Sequence, residues 1–100
     1  MIKSAKAIIV VQTPLGGAHN IGMNASLQEK LGAEGVIKLV RGDIRKNLNV
    51  ELLSLEGDIG KELRISPAVA RQFSLMDSDQ VILSFNRQTK ILRLREVNAK

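Results

Sequence analysis

Along this chain apolar and polar residues alternate in short runs, and twice the alternation gives way to apolar residues four positions apart. A period of two marks strands with one buried side, and a spacing of four marks one side of a helix. Residues 5–12, AKAIIVVQ, are a β-branched run that ends at TPLGG, where Pro14, Gly16 and Gly17 punctuate the chain. HNIGM, 19–23, predicts a short second strand, and Asn24, just before ASLQEKL, can cap a helix by accepting a backbone N–H. Leu27 and Leu31 share a helical face, and Gly32 is a natural stop because it reaches positive φ without a Cβ clash. VIKLVR, 36–41, predicts a strand, GDIRKN a turn, and LNVELLSL the strand that follows.

The second half repeats this grammar. NVELLSL takes the place of AIIVVQT, EGDIG of PLGGA, and ELRI of NIGM. Ser66 is a helix N-cap with Pro67 at the first helical position, where a missing N–H costs nothing. Val69 and Phe73 repeat the spacing of Leu27 and Leu31; QVILSF is an exit strand, NRQTK a turn, ILRLREV a last alternating strand, and NAK a tail expected to fray. A register of 42 residues, held from Ala7 to Ala33, pairs Ile8 with Val50, Val10 with Leu52, Ile21 with Leu63 and Leu27 with Val69. Beyond Gly32 the second copy is two residues longer before its exit strand. The expectation is one domain, 1–100, with an internal repeat of about 5–42 and 47–86 and a final strand at 90–97.

A single strand–strand–helix–strand unit cannot bury both its helix face and its sheet face. Two such units related by a pseudo-two-fold axis can interleave their strands and close a small barrel, which removes exposed edges. The predicted class is therefore mainly β with two short helices.

Composition agrees with a packed β interior. The chain is 44% hydrophobic with two Phe and no Trp or Tyr, so its core is aliphatic and β-branched. A domain of 100 residues can bury about 65% of the surface its unfolded chain exposes, enough to fold without staples. With no cysteine, disulfides and thiolate metal sites are excluded. The first apolar run, Ala7–Val11, is too short for a signal-peptide core or a membrane span, so a soluble cytoplasmic protein is expected.

Two ββαβ halves, each with a short capped helix and a hydrophobic exit strand, resemble the double-psi β-barrel. That fold serves the N-terminal domains of valosin-containing-protein-type ATPases and the pyruvoyl aspartate decarboxylases. The stretch LRISPAVARQFSLMDSDQVILSFNRQTKILRL, 63–94, is also similar to the N-terminal region of endospore coat-associated proteins, which carry an ATP-grasp domain behind it. The likeness rests on a serine-capped helix, a basic hairpin and a Leu-x-Leu strand. It implies a non-catalytic binding or assembly module. Arg95-Glu96-Val97 stands where that family would place Gly-Pro, and with Lys100 as the last residue nothing of the downstream catalysis is carried over. The decarboxylase branch cleaves itself at a Gly-Ser bond, and this chain has no Gly-Ser dipeptide.

Candidate chemistry is sparse. His19, the only histidine, reads as a polar residue at a loop–strand junction, since a general base would need an orienting carboxylate and a substrate proton in reach. Asp77 and Asp79 lack the glycine and the twelfth-position glutamate of a calcium loop and read as a turn. PLGGAHN opens no helix and carries no Lys-Ser/Thr, so it is no P-loop. No enzyme activity, cofactor or metal is expected.

The net charge of +5 leaves the basic residues as the suggestive pattern. Arg41, Arg45 and Lys46 surround the first exit-strand turn, and Arg87, Lys90, Arg93 and Arg95 the second. Arg93 and Arg95 alternate with Leu92 and Leu94, so one face of the last strand is basic. These residues either contact an anion or keep exposed strand edges from pairing. The expected partner is a protein or an anionic polymer; nucleic acid bound through its backbone is the alternative, and a homodimer would form if the last strand met a partner edge. Against nucleic acid, Phe73 and Phe85 lie on apolar faces and no long recognition helix is predicted.

Overall fold

Alternation places one side of nearly every strand in a common interior, and closing the sheet encloses it. The computed structural model describes residues 2–53 and 60–97. The strands are β1 (Ile2–Val11), β2 (Asn20–Asn24), β3 (Val36–Arg41), β4 (Ile44–Leu53), β5 (Glu62–Ile65), β6 (Gln80–Asn86) and β7 (Ile91–Glu96). Two short helices, α1 (Ala25–Leu31) and α2 (Pro67–Gln72), follow β2 and β5. The seven strands form a closed barrel in the order β1-β5-β2-β4-β3-β7-β6, so the mainly β barrel with two helices is the observed fold. Ala5, Ala7 and Ile9 of β1, Ile21 and Met23 of β2, and Leu92 and Leu94 of β7 face the core, with Leu27, Leu31, Val69 and Phe73 added by the helices. Each large aliphatic or aromatic side chain buried here contributes roughly 1.5–3 kcal/mol.

The helix signals work as physical devices. Asn24 Oδ1 accepts from Leu27 N at 3.2 Å, and Gly32 closes α1 in the left-handed region at φ 71°. Ser66 Oγ accepts from Val69 N at 3.3 Å with Pro67 at the first position of α2. Each cap also reaches across the molecule. Asn24 accepts from Glu62 N and donates to Gly60 O, while Ser66 Oγ donates to Ala18 O.

Strand pairing recurs between the halves. β1 runs parallel to β5 as β4 runs parallel to β2; β1 is antiparallel to β6 as β4 is to β3; β2 and β5 meet in the middle, and β7 closes the gap between β3 and β6. The matching offset is not constant. Ile9 opposite Leu63 corresponds to Val50 opposite Ile21, so β1 and β4 are related by 41 residues, one fewer than the 42 that relates β2 to β5. The expected equivalence of Ile8 with Val50 is therefore one residue out: Ile8 is exposed, whereas Ile9 and Val50 pack on the core. A slip of one residue exchanges the two faces of a strand. For β3 and β6 the offset is 44, as Ile37 opposite Leu48 and Val81 opposite Ala7 show, which is the two-residue lengthening expected after Gly32.

Two boundaries differ from expectation. β1 begins at Ile2, because Ile2–Lys6 continue the ladder with β6. GDIRKN is not a six-residue turn: Gly42, at φ 59°, and Asp43 make the whole reversal, and β4 starts at Ile44. The expected strand end at Ser54–Leu55, the EGDIG turn up to Ile59 and the NAK tail lie outside the described residues.

Candidate basic face

Because β4 starts at Ile44, Arg45 and Lys46 are strand residues rather than turn residues, and neighbours on a strand point to opposite sides. Lys46 sits half-buried opposite Leu39, on the side that carries Leu48 inward. Arg45 is exposed opposite Val40 on the outer side. Arg93 also pairs with Val40, from β7, and with Ser84 of β6. One row across the outside of the barrel thus reads Arg45, Val40, Arg93, Ser84, Ser4, the last two joined by their hydroxyls at 3.0 Å. Its neighbour reads Arg95, Ile82, Lys6. At a strand spacing of about 4.8 Å, the Cα atoms of Arg45 and Arg93 stand about 10 Å apart.

Arg45, Arg93 and Arg95 are therefore brought together, and Lys6 and Lys38 join them. Sequence reasoning missed those two, although each alternates with inward apolar neighbours, Ala5 and Ala7 or Ile37 and Leu39. The outward positions of β1, β6, β7 and β3 carry no acidic residue. Glu51 lies at the far end of β4 and is engaged elsewhere. Its carboxylate accepts from Leu15 N at 3.0 Å, Gly16 N at 2.7 Å and Asn20 Nδ2 at 2.9 Å, which clamps the loop between β1 and β2. The Asn20 hydrogen bond, aided by those two backbone N–H groups and the charge of Arg64, holds its pKa below the ordinary value against a desolvation effect of opposite sign.

The other candidates go elsewhere. Arg41 is committed to structure: its guanidinium donates to the carbonyls of Phe73 at 2.8 Å and Ser74 at 3.3 Å, at the end of α2, and pairs with Glu96. Arg87 and Lys90 occupy the β6–β7 turn, Arg87 beside Gly32 and Lys90 at φ 61° with its ammonium 3.5 Å from Glu34 O. β7 runs parallel to β3, so this turn and the Gly42–Asp43 turn lie at opposite ends of β7, about 17 Å apart. The two basic turns are not one patch.

Two shallow grooves meet on the basic face. One, of about 260 Å³, is lined by Val40, Gly42, Ile82, Ser84 and Leu94 with Arg93 and Arg95. The other, of about 500 Å³, shares Gly42, Leu94 and Arg95 and continues to Ile44 and Phe73 beside Arg41 and Glu96. Ile82 is half-exposed in the first and Ile44 in the second, Arg93 and Arg95 supply unpaired cations, and the Arg41–Glu96 pair ends the second.

No known protein family, curated protein or solved structure matches this chain. The likeness to spore coat-associated proteins thus has no counterpart in those comparisons, and the closed barrel stands on the strand pairing alone.

The remaining polar residues serve the backbone. Asp77 Oδ1 accepts from Val11 N and Asp79 Oδ2 from Met76 N, both at 2.9 Å. His19 is exposed, and its carbonyl accepts from Asn49 N. Among the described residues no three His, Asp or Glu side chains gather as a metal site, and no helix is long and apolar enough to cross a membrane.

Proposed function

We propose that this chain is a non-catalytic binding or assembly module on a barrel of double-psi type, and that it engages an anionic partner through the outer face of β6, β7, β3 and β4. What carries the reading is the row of Arg45 and Arg93 on either side of Val40, with Arg95 beside it and no carboxylate at the outward positions of β1, β6, β7 and β3. Edge protection does not account for Arg93, since β7 is hydrogen-bonded to β3 on one side of it and to β6 on the other. Nor do Arg45, Arg93 or Arg95 hold an ion pair among the described residues. The recurring strand pairing and the two helix caps that reach across the molecule support the double-psi assignment; the spore coat-associated likeness rests on the sequence of residues 63–94.

Chromatography on immobilised heparin tests the face. Arg93→Gln/Arg95→Gln and Arg87→Gln/Lys90→Gln lower the net charge equally, yet the first pair is expected to elute at clearly lower salt. Equal elution would mean that bulk charge alone drives retention, and the proposed face would be abandoned.

Nucleic acid bound through its backbone is the second reading, favoured by the same uncompensated cations. If Lys6, Arg45, Arg93 and Arg95 each neutralise one phosphate, log K against log salt falls with a slope of about −3 to −4. A gel-shift titration of duplex DNA at two salt concentrations checks this, and an absence of binding at low salt dismisses it.

A further inference from the structure

On the footing of that cationic face, we infer that the two grooves meeting at Gly42 and Arg95 are a docking site for an extended acidic peptide with interspersed apolar side chains, contributed by a protein partner. The walls decide between partners. A nucleic-acid backbone presents phosphate oxygens and sugars, which would answer Arg93 and Arg95 but leave Ile82 and Ile44, the half-exposed apolar residues of the two grooves, uncovered. Bases would need a stacking platform, and both aromatic rings of this protein are buried, Phe73 at 0% and Phe85 at 1% exposure. A peptide satisfies both parts of the surface, because its carboxylates meet the guanidinium groups while its aliphatic side chains lie on Ile82 and Ile44.

Gly42 makes the path continuous. It lines both grooves, and a Cβ built on it would meet nothing within 4 Å, so a backbone can pass there close to the turn. Val40 points to the outer side of the barrel but is covered there, beneath the two arginines. It is 3% exposed yet absent from the core cluster, lying between the stems of Arg45 and Arg93. Arg41 and Glu96 satisfy each other at the far end, so the charge open to the peptide lies at Arg93 and Arg95.

Fluorescence anisotropy with three labelled probes tests the inference on the full chain. The probes are a peptide alternating Glu and Leu, a Glu–Ser peptide of the same length and charge, and duplex DNA. The Glu–Leu peptide is expected to bind tightest, by about tenfold over Glu–Ser, the difference that roughly one buried aliphatic side chain supplies. Arg93→Gln/Arg95→Gln should weaken both peptides, and Ile82→Ser, with folding checked by circular dichroism, only the Glu–Leu peptide. If Glu–Ser or DNA binds as well as Glu–Leu, and only the arginine variant matters, the peptide inference fails while the cationic face stands. If no probe binds, or the arginine variant changes nothing, the face and the inference fall together. The wild-type comparison alone decides the first point, whatever the variants do to folding.

Discussion

Replacing Asn24 by Ala should destabilise the barrel more than the same deletion at its counterpart, Ser66. Asn24 is 7% exposed and its Oδ1 serves two backbone donors, Leu27 N as a helix cap and Glu62 N across the interface with β5, each at 3.2 Å. Loss of the cap costs about 1 kcal/mol. Leaving the N–H of Glu62, a residue itself 7% exposed, without its acceptor adds roughly 1–2 kcal/mol. Ser66→Ala removes a cap bond of 3.3 Å and a contact to Ala18 O in an exposed loop where water can substitute, so about 1 kcal/mol is expected. For a domain of 100 residues each kcal/mol shifts Tm by about 4–8 °C, which places Asn24→Ala about 10–20 °C below wild type and Ser66→Ala about 5 °C below. Asn24→Ser keeps a capping oxygen too short to reach β5 and should fall between. Thermal unfolding followed by circular dichroism, with urea midpoints at 25 °C, gives the order. If Asn24→Ala loses no more than Ser66→Ala, the cross-barrel role assigned to Asn24 is wrong.

Gly22→Ala should cost about 1–3 kcal/mol by urea denaturation, because the new Cβ would stand 2.7 Å from Leu53 Cδ2 and 3.2 Å from Arg64 Cβ. Arg41→Ala should lower Tm more than Glu96→Gln. The arginine ties down two carbonyls at the end of α2, whereas the pair itself, with Glu96 47% exposed, contributes about 0–1 kcal/mol. Glu51 has its folded pKa below the ordinary 4.5, so its stabilisation is complete above about pH 4.5 and is lost as pH falls through the folded value. Wild type should therefore exceed Glu51→Gln in urea midpoint at pH 7, and the gap should narrow as the pH is taken progressively below 4.5; a constant gap would refute the clamp's dependence on charge. That gap should be small, since the carboxylate is solvent-screened.

How legible this protein is depends on the range of the interaction. Asn24, Gly32, Ser66 and Pro67 could be assigned from the sequence because a cap or a stop involves donors and acceptors within four residues of one another. The alternation of Leu92 and Leu94 with Arg93 and Arg95 is equally local, so the basic side of β7 was visible in advance. Arg45 and Lys46 were misplaced in a turn because polar residues beside Gly42 and Asp43 mimic loop composition, while Val40 and Leu39 across the ladder hold them in a strand. Lys6 escaped notice because its neighbours on the surface, Ile82 and then Arg95, lie more than seventy residues along the chain.

Contacts a few residues long, then, are enough to read off most elements, both helix caps and the inward side of β7. Long-range pairing is what closes the barrel with β7 between β3 and β6 and matches β1 to β4 one residue off the apparent repeat. The same pairing sorts the seven basic candidates, joining Arg45, Arg93 and Arg95, turning Lys46 to the other side of β4, committing Arg41 to α2, and sending Arg87 and Lys90 to the opposite end. The reason is that ladder register is set by the fit of the whole interior at once, and a shift of one residue anywhere exchanges the inside of a strand for its outside.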